Sequence, residues 1–119
     1  MLKTWDEVLE EFRVLFSGSE RYRALWNNQE WLITQLMTSE NLPDDVSPYR
    51  SLGTLILYVG SSPRRIDIFS DEPNRFHIGI HQYSGDSEIF TDEATVTSDE
   101  IVATVKQYVN RLKTNRGAD

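Results

Sequence analysis

No cysteine occurs in the 119 residues of this chain, which removes disulfides, zinc–thiolate sites and thiol nucleophiles from its possible chemistry. The absence also suits a reducing compartment, and a cytoplasmic protein is expected. Long apolar runs are missing too. The longest, Leu55 to Val59, falls far short of the roughly 20 residues that cross a bilayer, so no membrane partner is expected. The first residues, Met1-Leu2-Lys3-Thr4-Trp5-Asp6-Glu7, place two acids where a secretion leader carries a basic start and a long apolar stretch, and export by that route is not expected.

Cations are scarce in one region. Between Asp71 and Glu100 stand eight carboxylates (Asp71, Glu72, Asp86, Glu88, Asp92, Glu93, Asp99, Glu100) against the single cation Arg75, a local charge of −7 that equals the charge of the whole chain. A surface of that sign repels nucleic acid and anionic lipid and attracts a basic protein. Asp99 and Glu100 have a local explanation at a helix start, where acids complement the helix dipole.

What is present describes a folded chain. Apolar residues make up 39%, charged residues 26% and aromatic residues 11%, values of ordered proteins rather than disordered ones. The length suits one domain, 1–119, around one core. Thr4 and Glu7 have the spacing of a capping box, and Trp5, Val8, Leu9, Phe12, Leu15 and Phe16 then recur at helical intervals until Ser17-Gly18. Ser19 can cap a second helix whose apolar members are Tyr22, Leu25, Trp26, Ile33, Leu36 and Met37, giving a helical pair over 4–38. Pro43, Asp44-Asp45 and Pro48 make the stretch from Ser39 to Arg50 a loop.

From Leu52 the residues become β-branched and aromatic. Strands are expected over 52–59, 64–69, 75–83 and 88–96, and their short connections make a four-stranded antiparallel meander over 52–96. Thr97 with Glu100 opens a helix over 98–113 carrying Ile101, Val102, Val105, Tyr108, Val109 and Leu112, and 114–119 is a frayed tail. The expected class is α+β, in the order α-α-β-β-β-β-α, with helices packed on the sheet.

Alternation puts Ile66 and Ile68, and likewise Phe76, Ile78 and Ile80, on the core side. A symmetric loop at 70–74 then sets Asp67 across from His77, and the next hairpin sets Glu88 across from Tyr83 and Phe90 across from His81. The outer face so built shows Arg65, Asp67, Phe69, His77, His81, Tyr83, Glu88, Phe90 and Asp92. It reads either as a recognition surface, aromatic anchors ringed by acids, or as a face hidden under a helix or the loop after Met37. Leu52 to Val59 is apolar on both sides, with Leu55, Leu57 and Val59 on one and Ile56 and Tyr58 on the other. Helix, partner or second copy must cover it, and a homodimer through this strand is one option.

Trp31 is anomalous. On an unbroken second helix it lies opposite an apolar stripe centred near Gln29, beside Asn27, Thr34, Gln35 and Thr38, and reads as a contact residue. If Asn27-Asn28 breaks the helix, it turns back into the core.

The remaining constellations are weak. His77 and His81 on one strand stand roughly 13 Å apart, too far for one ion with metal–nitrogen bonds near 2.0 Å, so no metal is expected. Asp67 beside His77 is an acid–base candidate with no recognisable nucleophile near it. Gly60-Ser61-Ser62-Pro63-Arg64-Arg65 leads into a strand, whereas phosphate loops open a helix. No calcium loop is present, and no cofactor or catalytic residue is expected.

A β-meander ending in acids, Glu88 to Glu93, then Val96-Thr97-Ser98-Asp99-Glu100-Ile101 opening a C-terminal helix with Tyr108, resembles the small acidic immunity proteins that protect bacteria from their own polymorphic toxins. The resemblance implies a stoichiometric inhibitor that covers the active site of a basic toxin without doing chemistry. The leading expectation is therefore a cytoplasmic, non-enzymatic module that binds a basic protein. The alternatives are a small-molecule-binding or catalytic domain using an Asp–His pair, and a homo-oligomeric structural protein.

Overall fold

Thr4 and Glu7 cap the first helix reciprocally: the Thr4 amide donates to the Glu7 carboxylate and the Glu7 amide to Thr4 Oγ1, both at 3.2 Å. That helix, α1, runs Trp5–Gly18, followed by α2 at Arg23–Met37 and, after the sheet, α3 at Ser98–Thr114. The structure is a computed structural model that describes residues 3–18, 20, 23–38, 42–43, 45–84 and 87–114, without the side chains of 16, 17, 24, 25, 83, 84 and 114. The expected cap at Ser19, the side chains of Phe16, Tyr22, Leu25 and Tyr83, the turn acid Asp86 and the tail from 115 lie outside the described residues.

Helix α2 continues through Asn27-Asn28 without a break. Asparagine breaks helices by bonding its own backbone, but the Asn28 amide is engaged elsewhere, donating to Ser70 Oγ at 2.8 Å and to the Glu72 carbonyl at 3.2 Å. The buried stripe is Gln29, Leu32, Ile33 and Leu36, centred as the periodicity implies. Gln29 is tolerated there because its Nε2 donates to the carbonyls of Gly53 and Ile68, each at 2.9 Å.

The sheet has five strands, one more than expected: β1 Val46–Ser51, β2 Thr54–Val59, β3 Arg64–Glu72, β4 Arg75–Ser84 and β5 Ser87–Thr97. All neighbours are antiparallel, in the order β1-β2-β3-β4-β5. The stretch read as a loop from Ser39 to Arg50 contains all of β1 but its last residue, Ser51. Pro48 suggested a loop, yet an edge strand accepts proline because half of its amides face away from the sheet. Leu52-Gly53, expected at the start of a strand, instead turns β1 into β2, with Ser51 opposite Thr54.

All three helices pack on one face. α1 lies against β1, α2 against β3, and α3 against β2 to β5, burying Leu55, Leu57, Val59, Ile66, Ile68, Phe76, Ile78 and Ile80 among Val8, Phe12, Leu32, Leu36, Ile101, Val105 and Leu112. Among the described residues no helix lies on the opposite face. Ile56 is nonetheless only 3% exposed there, set between its pairing neighbours Tyr49 and Asp67. Its strand is interior, so the cover that it needs comes from within the chain. No helix among the described residues is long and apolar enough to cross a membrane.

Two bulges correct the expected registers. Between Phe69 and Glu72 the pairing shifts, and the hairpin closes at Glu72 opposite Arg75 with Pro73-Asn74 as its turn. Asp67 therefore lies across from Gly79, while His77 is across from Phe69 and His81 from Arg65. The five-residue loop tightened because Ser70 Oγ bonds the carbonyl of Arg75 at 2.6 Å and Asn74 adopts the left-handed conformation that such a turn requires, φ 61°. The second bulge lies in β5. Glu88 opposite Tyr83 and Phe90 opposite His81 hold as expected, but Thr91 pairs with Ile80 and Ala94 with Ile78, with Asp92 at φ 54° between them. The extra residue turns Asp92 off the outer face: its carbonyl accepts from the Tyr108 hydroxyl and its carboxylate meets Arg111 of α3 at 3.3 Å. Glu93 takes the outer position instead.

Candidate functional site: a recess over Gly79

His77, Gly79 and His81 share the outer face of β4, since side chains alternate along a strand. The missing side chain at Gly79 leaves a gap between two stacked pairs. Phe69 lies on His77 with ring centroids 4.8 Å apart and planes 21° from parallel, and Phe90 lies on His81 at 4.1 Å and 9°. The gap widens into a recess of about 530 Å³ whose walls are Phe69, His77, Phe90 and Thr95, with Asp67 on one flank and Glu93 on the other. A Cβ added at Gly79 would stand 3.3 Å from Glu93 Cγ, so a larger residue there would fill the floor.

The acids around the recess differ in state. Asp67 is mostly buried; Arg65 Nε lies 3.1 Å from its Oδ1 and His81 Nδ1 lies 3.5 Å from its Oδ2. Burial pushes its carboxyl above the usual range, outweighing the pull of Arg65 and His81. Asp71 is the opposite case: the Arg75 guanidinium first, then His77, hold it down at about 2. Arg75 also reaches Glu72 at 3.2 Å. Glu88 is 3.9 Å from His81 Nε2, whereas Glu93 is exposed and makes no hydrogen bond or ion pair with the described residues.

Chemically the site offers carboxylates beside aromatic faces, which suits a cation. Three groups also line up: Thr95 Oγ1 lies 3.1 Å from His77 Nδ1, and His77 Nε2 lies 2.9 Å from Asp71 Oδ1, an ion-pair distance without hydrogen-bond geometry. No group of three or more His, Asp or Glu among the described residues is placed to hold a metal ion.

Of the residues picked out by sequence, Asp67, Phe69, His77, His81, Glu88 and Phe90 come together here. The Asp–His pair forms with His81 rather than His77, because the tight turn at Pro73-Asn74 and the bulge beside it together move the register by two. Tyr83 pairs with Glu88 by backbone, its side chain lying outside the described ones. Asp92 is not part of the site. Trp31 is elsewhere, on the helix layer, 39% exposed with its ring 6.2 Å from that of Phe76. Sequence reasoning missed Gly79, Glu93, Asp71 and Thr95; a lone glycine inside a strand was the available signal, since it marks a bulge or a close approach.

No protein family, no curated protein and no solved structure matches this chain.

Proposed function

We propose that this protein is a non-enzymatic binding module that docks the helix-free face of its sheet onto a basic partner protein in the cytoplasm, as an inhibitor of the immunity-protein kind docks onto a toxin. One observation carries the reading. With every helix of the described residues on the other side, Phe69 and Phe90 stand 45% and 47% exposed within a ring of Asp67, Asp71, Glu88 and Glu93. Half-exposed aromatics are typical interface anchors, and the acids supply steering and specificity.

The test is a photo-crosslinking amino acid placed at 90 and, as a control, at Gln107 on the exposed side of α3, irradiated in native cell extract. A basic protein crosslinked through position 90 alone, and no longer crosslinked when the extract is brought to about 1 M salt before irradiation, supports the proposal. Equal capture from both positions, or capture indifferent to salt, contradicts it, because exposed charge pairs are screened over about 10 Å at 0.1 M and about 3 Å at 1 M.

The alignment of Thr95, His77 and Asp71 favours a second reading, acyl transfer with Thr95 as nucleophile and His77 as base. Against it, Asp71 is claimed by Arg75 through both carboxylate oxygens, at 3.1 and 3.0 Å, so its charge is shared rather than reserved for orienting His77. Thr95→Val keeps the shape of the wall and Thr95→Ser keeps the hydroxyl: the catalytic reading has the first abolish the protein's cellular effect and the second retain it, whereas the binding reading does not require the hydroxyl.

A further inference from the structure

Resting on the reading of this face as the surface for a basic protein, we infer that the recess over Gly79 receives one arginine side chain of that partner. The argument starts from shape. Gly79 removes a side chain at the centre of the outer face, while its neighbours two residues away are rings held flat by Phe69 and Phe90. What results is a slot with aromatic sides, and not a bare acidic patch. At about 530 Å³ it is roomy enough for a guanidinium group and the stem behind it.

Charge then selects the occupant. Strands lie about 4.8 Å apart, so Asp67 on β3 and Glu93 on β5 bracket Gly79 from both sides. Asp67 is already matched by Arg65, whereas Glu93 has no partner among the described residues and projects over the glycine. A cation entering the slot meets an unclaimed carboxylate at its mouth and a partly buried one at its flank. The planar, weakly hydrated guanidinium stacks on rings and forms two parallel bonds to a carboxylate, whereas an ammonium keeps its water and binds as a point charge. Arginine therefore fits a slot with ring walls better than lysine does.

The prediction can be read on the intact protein by nitrogen-15 NMR, with three capped tripeptides as probes: Gly-Arg-Gly, Gly-Lys-Gly and Gly-citrulline-Gly, the last isosteric with arginine but uncharged. The arginine peptide should shift the amides of Asp67, Gly79 and Glu93 saturably, the lysine peptide should bind several-fold more weakly, and the citrulline peptide should not bind. Glu93→Gln keeps the shape and should weaken the arginine peptide about tenfold, equivalent to about 1.4 kcal/mol. Gly79→Ala should do the same by filling the floor, with the changes in its own spectrum confined to position 79 and the residues around Glu93, whose Cγ lies 3.3 Å from the added Cβ. Equal binding of the three peptides, or arginine affinity untouched by Glu93→Gln, overturns the inference.

A decalysine peptide separates this failure from that of the broader reading. If it binds the outer face in a salt-sensitive way while the arginine tripeptide ignores the slot, only the slot assignment falls. If its shifts map to the helix layer, both fall.

Discussion

Asp67 lies directly across from Gly79 on the neighbouring strand, and that pairing organises the outer face. It places a partly buried carboxylate beside the one position of β4 that has no side chain, with the His77 and His81 stacks on either side. A slip of two residues, as a symmetric loop would give, would set Asp67 under His77 and close the recess.

Phe90→Ala should weaken binding of the partner by about 2 kcal/mol or more and leave thermal stability nearly unchanged, since half of that ring is already in water. Phe76→Ala should do the reverse. Phe76 is fully buried in the core, and its truncation should cost about 3–5 kcal/mol of stability. Calorimetry and partner titration on both variants separate the two roles.

The two acids of the site should tilt the pH dependence of stability in opposite directions. Asp71 has a folded pKa of about 2, below its ordinary 3.8, so its stabilisation is full above about pH 4 and is lost as pH falls through about 2. Asp67 has a folded pKa above its ordinary 3.8, so the folded state holds its proton more tightly, and its contribution is greatest below that value and declines as pH rises through the folded pKa. Urea unfolding from pH 2 to pH 7 should show Asp71→Asn flattening the acid limb. Asp67→Asn should remove a decline on the less acidic side of pH 3.8.

Gln29→Ala should destabilise by about 1–3 kcal/mol. The carbonyls of Gly53 and Ile68 would lose the donor that reaches each at 2.9 Å. Gln29→Glu should be worse, because a carboxylate faces two carbonyl oxygens there with nothing to donate. Denaturant midpoints read both outcomes.

Leu52→Gly should raise stability by about 0.5 kcal/mol. Leu52 holds φ at 53° in the β1–β2 turn and is 80% exposed. The left-handed conformation costs a branched L-residue about 1–2 kcal/mol, and the extra freedom of glycine in the unfolded chain offsets part of the relief. A higher midpoint in thermal unfolding checks it.

The helices were legible because their ends are written in short-range chemistry. Thr4 with Glu7 forms both bonds that its spacing implies, and Thr97 with Glu100 forms one of them, the Thr97 amide donating to the Glu100 carboxylate at 3.3 Å while the Thr97 hydroxyl donates to the same oxygen at 3.1 Å. The stripe of α2 centred on Gln29 was equally readable. β1 was not, since Pro48 carries the same local signal in an edge strand as in a loop. The bulges were hidden for a different reason. The first depends on Ser70 bonding Asn28, 42 residues away, and the second on α3 holding Asp92 through Tyr108 and Arg111. Neither partner is visible in the local pattern, so the sequence places Asp67, Phe69, His77, His81, Glu88 and Phe90 on the outer face as the structure does, but misplaces Asp92 and Glu93 and mistakes the partner of Asp67. Even the cap of α3 draws on a distant residue: Asn74 Oδ1 accepts from the Ser98 amide at 3.1 Å.

The central claim, that the helix-free face docks a basic partner, is tested most directly by charge reversal on each side of the molecule. Affinity for the partner captured through position 90 would be measured for Glu88→Lys with Glu93→Lys, and for Glu10→Lys with Glu20→Lys on the helical side. The outer pair should abolish binding and the helical pair should leave it within about twofold, since steering falls off beyond a Debye length of about 10 Å. Equal loss from both pairs, or binding that survives reversal of the outer pair, would contradict the account.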